Sequence, residues 1–68
     1  MSETLTVRLR EARAERGWTQ AELADVIGVS RKTINTIENG VFVPSTVLAL
    51  KLAKAFNTGV EALFALKE

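Results

Sequence analysis

The chain has 68 residues, 47% hydrophobic and 25% charged, with nine lysines and arginines against eight acids and neither cysteine nor histidine. That length supports one domain with one modest core and leaves no room for a deep catalytic cleft. The missing residue types exclude disulfides, thiolate or histidine catalysis and the common metal sites, so no enzyme, metal or cofactor is expected.

Gly17, Gly28, Gly40, Pro44 and Gly59 punctuate the chain, and hydroxyl residues suited to helix capping open the interior pieces. A first helix is predicted from about Thr6 to Arg16, with Leu5, Leu9 and Ala12 at helical spacing. A second runs from a Thr19 cap to about Ile27, with Leu23, Ala24 and Ile27 on one face. There Thr19 and Glu22 form a capping box, each side chain satisfying an orphan amide. The third extends from a Ser30 cap to about Asn39, with Ile34 and Ile37 inward. The fourth starts at Ser45, just after Pro44, and carries Val47, Leu48, Leu50, Leu52, Ala53 and Phe56. The fifth opens at Thr58 with a second capping box to Glu61, followed by Val60, Leu63 and Phe64. Strand signals are weak, and the best of them, Glu3–Leu5 and Ala65–Lys67, suggest a short terminal β-ribbon. The expected fold is all-α, five short helices around one core in a single domain spanning residues 1–68.

The connection Gly28-Val29-Ser30 is so short that the helices on either side must cross steeply. Gly28 suits a positive φ, Ala24 is small where the backbones approach, and Ile34 and Ile37 pin the third helix from inside. Gln20, Ala24, Gly28, Ile34 and Ile37 stand in the register of a helix-turn-helix over about residues 20–39. A tight helical hairpin without function is the plainer alternative. The start of the third helix separates the two.

A helix N-terminus carries partial positive charge and favours acids, which this chain supplies at Glu22 and Glu61. The third helix begins instead with Arg31-Lys32-Thr33, and no acid occurs from Val26 to Ile37. Cations set against a helix dipole make sense where an anion approaches. In a helix-turn-helix, that end of the second helix enters the major groove of DNA. Arg31 and Lys32 suit guanine O6 and N7 or phosphate, Asn35 suits adenine, and the Thr33 and Thr36 methyls suit a thymine methyl. At about 100° per residue, Lys32, Asn35 and Thr36 share a face, with Arg31 and Thr33 on its flanks. Gln20 and Ser30 are placed for phosphate contacts that position without specifying, although capping alone accounts for Ser30.

The stretch Thr19-Gln20-Ala21-Glu22-Leu23-Ala24, with Gly28-Val29-Ser30, Ile34 and Ile37-Glu38-Asn39-Gly40, resembles the XRE family of phage-repressor and Cro-like regulators. The likeness runs from about Val7 to Phe64, with Pro44-Ser45, Leu50-Lys51-Leu52-Ala53 and Val60-Glu61-Ala62-Leu63-Phe64 resembling the family's last two helices. It implies a five-helix domain that binds double-stranded DNA as a homodimer on a roughly palindromic operator, as a repressor that inserts helix 31–39 into the major groove. By the same likeness Gln20, Ser30 and Asn39 fall at backbone-contact positions, and Arg31, Lys32, Asn35 and Thr36 at base-reading ones. Arg13 and Glu38 fall where the family pairs an arginine with a glutamate; without the likeness both read as surface charges.

One departure stands out. Many relatives carry lysine or arginine after the recognition helix, where this chain has Val41-Phe42-Val43. That trio is expected either to fold onto the core, the plainer reading, or to join a subunit interface with Leu63, Phe64 and Leu66. It also motivates the alternative of an antitoxin or other protein-interaction module on the same scaffold. No opening segment reads as a signal peptide, and no apolar run approaches the roughly 20 residues of a membrane span, so a cytoplasmic location is expected.

Overall fold

The computed structural model describes residues 4–67. Strand β1 (Thr4–Val7) leads into helices α1 (Leu9–Arg16), α2 (Gln20–Ile27), α3 (Arg31–Glu38) and α4 (Thr46–Ala55); a 3-10 turn at Val60–Ala62 and strand β2 (Phe64–Lys67) follow. The strands pair antiparallel, Leu5 opposite Leu66 and Val7 opposite Phe64. Of the proposed ribbon segments, Glu3 lies outside the described residues, and the pairing reaches further inward than expected, to Val7 and Phe64. Among the described residues, no helix is long and apolar enough to cross a membrane.

Each interior helix starts where a hydroxyl can satisfy its orphan amides. The Thr19 side chain accepts from the Glu22 N–H at 3.0 Å, and Glu22 accepts from the Thr19 N–H at 2.8 Å, completing the capping box. Ser30 caps α3 by accepting from Thr33 N–H at 3.2 Å, and Ser45 caps α4 by accepting from Leu48 N–H at 3.1 Å. Gly28 ends α2 at φ 78, with its N–H on the Ala24 carbonyl at 2.8 Å. Space is open around its α-carbon, so a Gly28→Ala change strains the backbone without a clash. That change is expected to cost about 1–2 kcal/mol, read as a lower midpoint in chemical denaturation with an unaltered slope.

Leu9, Leu23, Ile34, Ile37, Leu52 and Leu63 are fully buried at the centre. Packed beside them, the rings of Trp18 and Phe56 lie 5.3 Å apart at 51°. The Arg16 guanidinium covers both, 5.2 Å from Trp18 and 5.7 Å from Phe56, and so fastens the end of α1 to the end of α4.

Two expectations are corrected. Helix α1 begins at Leu9 and not near Thr6, because Thr4–Val7 belong to the ribbon, from which Leu5 still packs on the core. The fifth helix is absent: four α-helices are present among the described residues, and Val60–Ala62 makes one 3-10 turn. Thr58 is consumed in ending α4, where Asn57 takes φ 53 and the Thr58 N–H returns to the Ala53 carbonyl at 2.9 Å. The cap position passes to Gly59, which offers no side-chain bond, so the Thr58–Glu61 box does not form. The Leu63 carbonyl is taken by Arg8 N–H at 2.8 Å, which turns the chain into β2 before a second helical turn can close.

Candidate nucleic-acid interface

Helix α3 is held from beneath by Ile34 and Ile37, both fully buried, while Arg31, Lys32 and Asn35 are exposed on it and Thr33 and Thr36 are half-buried. The five side chains singled out on α3 thus lie on or beside its outer face. The first turns of α1 and α2 carry the acids Glu11 and Glu22; those of α3 and α4 carry none, and that of α3 alone among the four opens with two cations. Two cations therefore stand at the positive end of a well-anchored helix, where free amides add to the attraction for an anion.

Behind that face lies a buried ionic network centred on Glu38, whose side chain has 0% exposure. Its carboxylate accepts from Arg13 Nε at 2.7 Å and Nη2 at 3.2 Å, from Gln20 Nε2 at 3.0 Å and from Arg10 Nε at 3.5 Å. Arg13 Nη1 also donates to the Trp18 carbonyl at 2.9 Å, so one guanidinium spans α1, the following turn and α3. Burial alone would raise the Glu38 pKa. The hydrogen bonds from Arg13 and Gln20 and the Arg13 charge, with Arg10 adding least, outweigh it and hold the group below the ordinary carboxylate value. Hydrogen bonding to Glu38 in turn raises Arg13, against its partial burial.

The network takes in two of the three residues singled out for phosphate contact, Gln20 and Asn39, and leaves Ser30 outside it. Gln20 leans on Glu38 with one amide hydrogen and keeps the other. Asn39 accepts from Arg10 Nη2 at 2.9 Å and donates to Asn35 Oδ1 at 3.2 Å, leaving Asn35 its own amide hydrogens and a second lone pair. Ser30 is occupied by the cap and by a 3.0 Å bond to the Thr33 hydroxyl. Arg10 was missed in the sequence, although it stands three residues before Arg13 on the same side of α1, where a second cation reaches the same acceptor.

The candidate interface residues divide. Leu63 and Phe64, only 1% and 8% exposed, belong to the core of this chain and have no surface to offer a second one. Val41, Phe42 and Val43 do not fold onto the core; all three are exposed, as is Leu66. The reason is local: Gly40 at φ 74 reverses the chain, and the amides of Val41 and Phe42 bond back to the Thr36 carbonyl, which holds the loop on α3. Of the apolar residues expected on α4, Leu52, Ala53 and Phe56 are buried, whereas Val47 and Leu50 are exposed to solvent.

Comparison with known proteins places this arrangement. A helix-turn-helix family model matches residues 9–63. The HTH-type transcriptional regulator YgzD of Bacillus subtilis is 44% identical over 61 residues, which covers 90% of this chain and 92% of that protein. Among solved structures, the restriction-modification controller protein C.AhdI from Aeromonas hydrophila is 37% identical with a TM-score of 0.75, over 79% of this chain and 82% of that one. SinR, described as the master regulator for biofilm formation and solved in complex with DNA, is 27% identical with a TM-score of 0.73, over 79% of this chain and 87% of that one.

Proposed function

The chain belongs to the XRE-type helix-turn-helix family of transcriptional regulators, and on that premise we propose that it is a sequence-specific reader of double-stranded DNA, acting in the cytoplasm as a homodimeric repressor on a palindromic operator. Residues 1–68 serve as one domain, with no metal or cofactor. Helix α3 lies in the major groove. Lys32, Asn35 and Thr36 face the bases, Arg31 and Thr33 flank them, and Gln20, Ser30 and Asn39 hold the phosphates of the same half-site. The observation that carries this reading is the outer face of α3, where Arg31 and Lys32 stand exposed at the positive end of a helix locked from below by Ile34 and Ile37. The dimer contact draws on apolar side chains left in solvent, Val43, Val47, Leu50 and Leu66.

Selection of bound sequences from a random duplex pool at moderate salt tests it. The expected result is a palindromic consensus whose half-sites are about 34–36 Å apart. An unenriched pool would sink the proposal, and a stoichiometric protein partner copurifying in place of DNA would favour an interaction module. On the selected operator, Gln20→Ala is expected to weaken every sequence alike, because a phosphate contact carries no base information.

A further inference from the structure

The loop after α3 adds an apolar wall to the face that this helix presents. Gly40 reverses the chain, its N–H on the Ile37 carbonyl at 3.1 Å, and the N–H groups of Val41 and Phe42 both reach the Thr36 carbonyl, at 2.9 and 3.2 Å. Val41 and Phe42 therefore stay beside α3, and with Ser30, Lys32, Thr33 and Thr36 they line one open recess of about 330 Å³. Val41 is 78% exposed and Phe42 46%. The hydroxyls of both lining threonines are engaged within the protein, Thr33 with Ser30 at 3.0 Å and Thr36 on the Thr33 carbonyl at 3.0 Å. An aromatic ring, a valine and two threonines with engaged hydroxyls thus line a space that has one cation, Lys32, in its wall.

Resting on the DNA-reading role proposed above, we infer that this recess receives the 5-methyl group of a thymine in the major groove, which makes Phe42 and Val41 specificity-determining residues. Phosphates and sugars offer a half-exposed aromatic ring little apolar surface. In the major groove of ordinary DNA, thymine is the base that carries a methyl group, and threonine methyls and phenylalanine are the side chains that match it. Lys32 at the recess serves the polar edge of a neighbouring base. The loop that lacks the usual cations therefore contributes to recognition through shape and apolar contact.

Deoxyuridine differs from thymidine by that methyl alone, so each thymine of the selected operator is replaced by it in turn and binding is followed by fluorescence anisotropy. For the native chain, one thymine per half-site is expected to lose about fourfold in affinity per half-site on losing its methyl, the value of one buried methyl-sized group. In Phe42→Ala that ratio should fall to about twofold or less, the thymine operator losing more affinity than the deoxyuridine one. Phe42 lies outside the core, and Val41→Ala supplies a second variant expected to reduce the same ratio. Bound variants that keep the native thymine-to-deoxyuridine ratio would overturn the recess while leaving the DNA-reading role intact. A failure to select any sequence would overturn both.

Discussion

Replacing Glu38 with alanine is expected to lower the stability of the fold by about 3 kcal/mol, the low end for breaking a buried pair by deleting one partner. In a domain of this length that corresponds to a fall of roughly 12–24 °C in melting temperature. The Glu38 side chain is fully buried and accepts four hydrogen bonds from Arg10, Arg13 and Gln20, so its loss strands a largely buried guanidinium with only the Trp18 carbonyl. A chain of this size commands about 3–10 kcal/mol in total, so the variant should stand near the edge of unfolding at 37 °C. The double change Arg13→Met with Glu38→Leu is expected to recover much of the loss, because the damage lies in the unpaired charge and not in lost volume. Acid has a related effect. The folded Glu38 pKa is depressed, so its contribution is complete above the unfolded value of about 4.3 and is lost as the pH falls through the lower folded one. Glu38→Gln should flatten that part of the stability–pH curve. Circular dichroism melts from pH 7 down to 3 measure all of these variants, and an unchanged acid slope in Glu38→Gln would refute the assignment.

That network also marks how far the sequence could be read. Helices α2, α3 and α4 were legible because their signals are local: a hydroxyl beside its amide, a glycine at a positive φ, an apolar face of helical period. The fifth helix misled for a local reason too. Thr58 and Glu61 have capping-box spacing, but Thr58 had already been claimed by the end of α4, and a box needs a free backbone on which to form. The ribbon depends on residues at opposite ends of the chain, where neither partner shows a strand period of its own, so only its outline was foreseen. The same blindness to distant partners applies to surface and core. Leu63 and Phe64 look like interface residues until the ribbon and the 3-10 turn fold them inward. Arg10 looks like a solvated charge until Glu38 and Asn39 arrive beside it from α3. Which side of α3 faces outward, by contrast, was readable, since a short helix pinned by Ile34 and Ile37 has one way to face.

From that face comes the largest expected loss of binding. Lys32→Ala should cost about 1–3 kcal/mol for each base contact removed. On a two-fold operator each contact counts twice, giving about 2–6 kcal/mol, or from about 30-fold to more than 10,000-fold in affinity. Its neighbour on the flank of the face, Arg31, falls at a base-reading position too, so Arg31→Ala is expected to cost about 1–3 kcal/mol per half-site and, like Lys32→Ala, to relax base preference at one position of each half-site. Both changes should also stabilise the free protein by a few tenths of a kcal/mol, because they remove a cation from the positive end of a helix dipole. This opposition is the diagnostic. A residue kept for the fold loses stability when it is removed, whereas one kept for an anion loses binding and returns stability. Anisotropy titrations at several salt concentrations, set beside thermal melts of the same variants, read both quantities. Variants that melt lower than the native chain yet bind the operator unchanged would remove α3 from the groove.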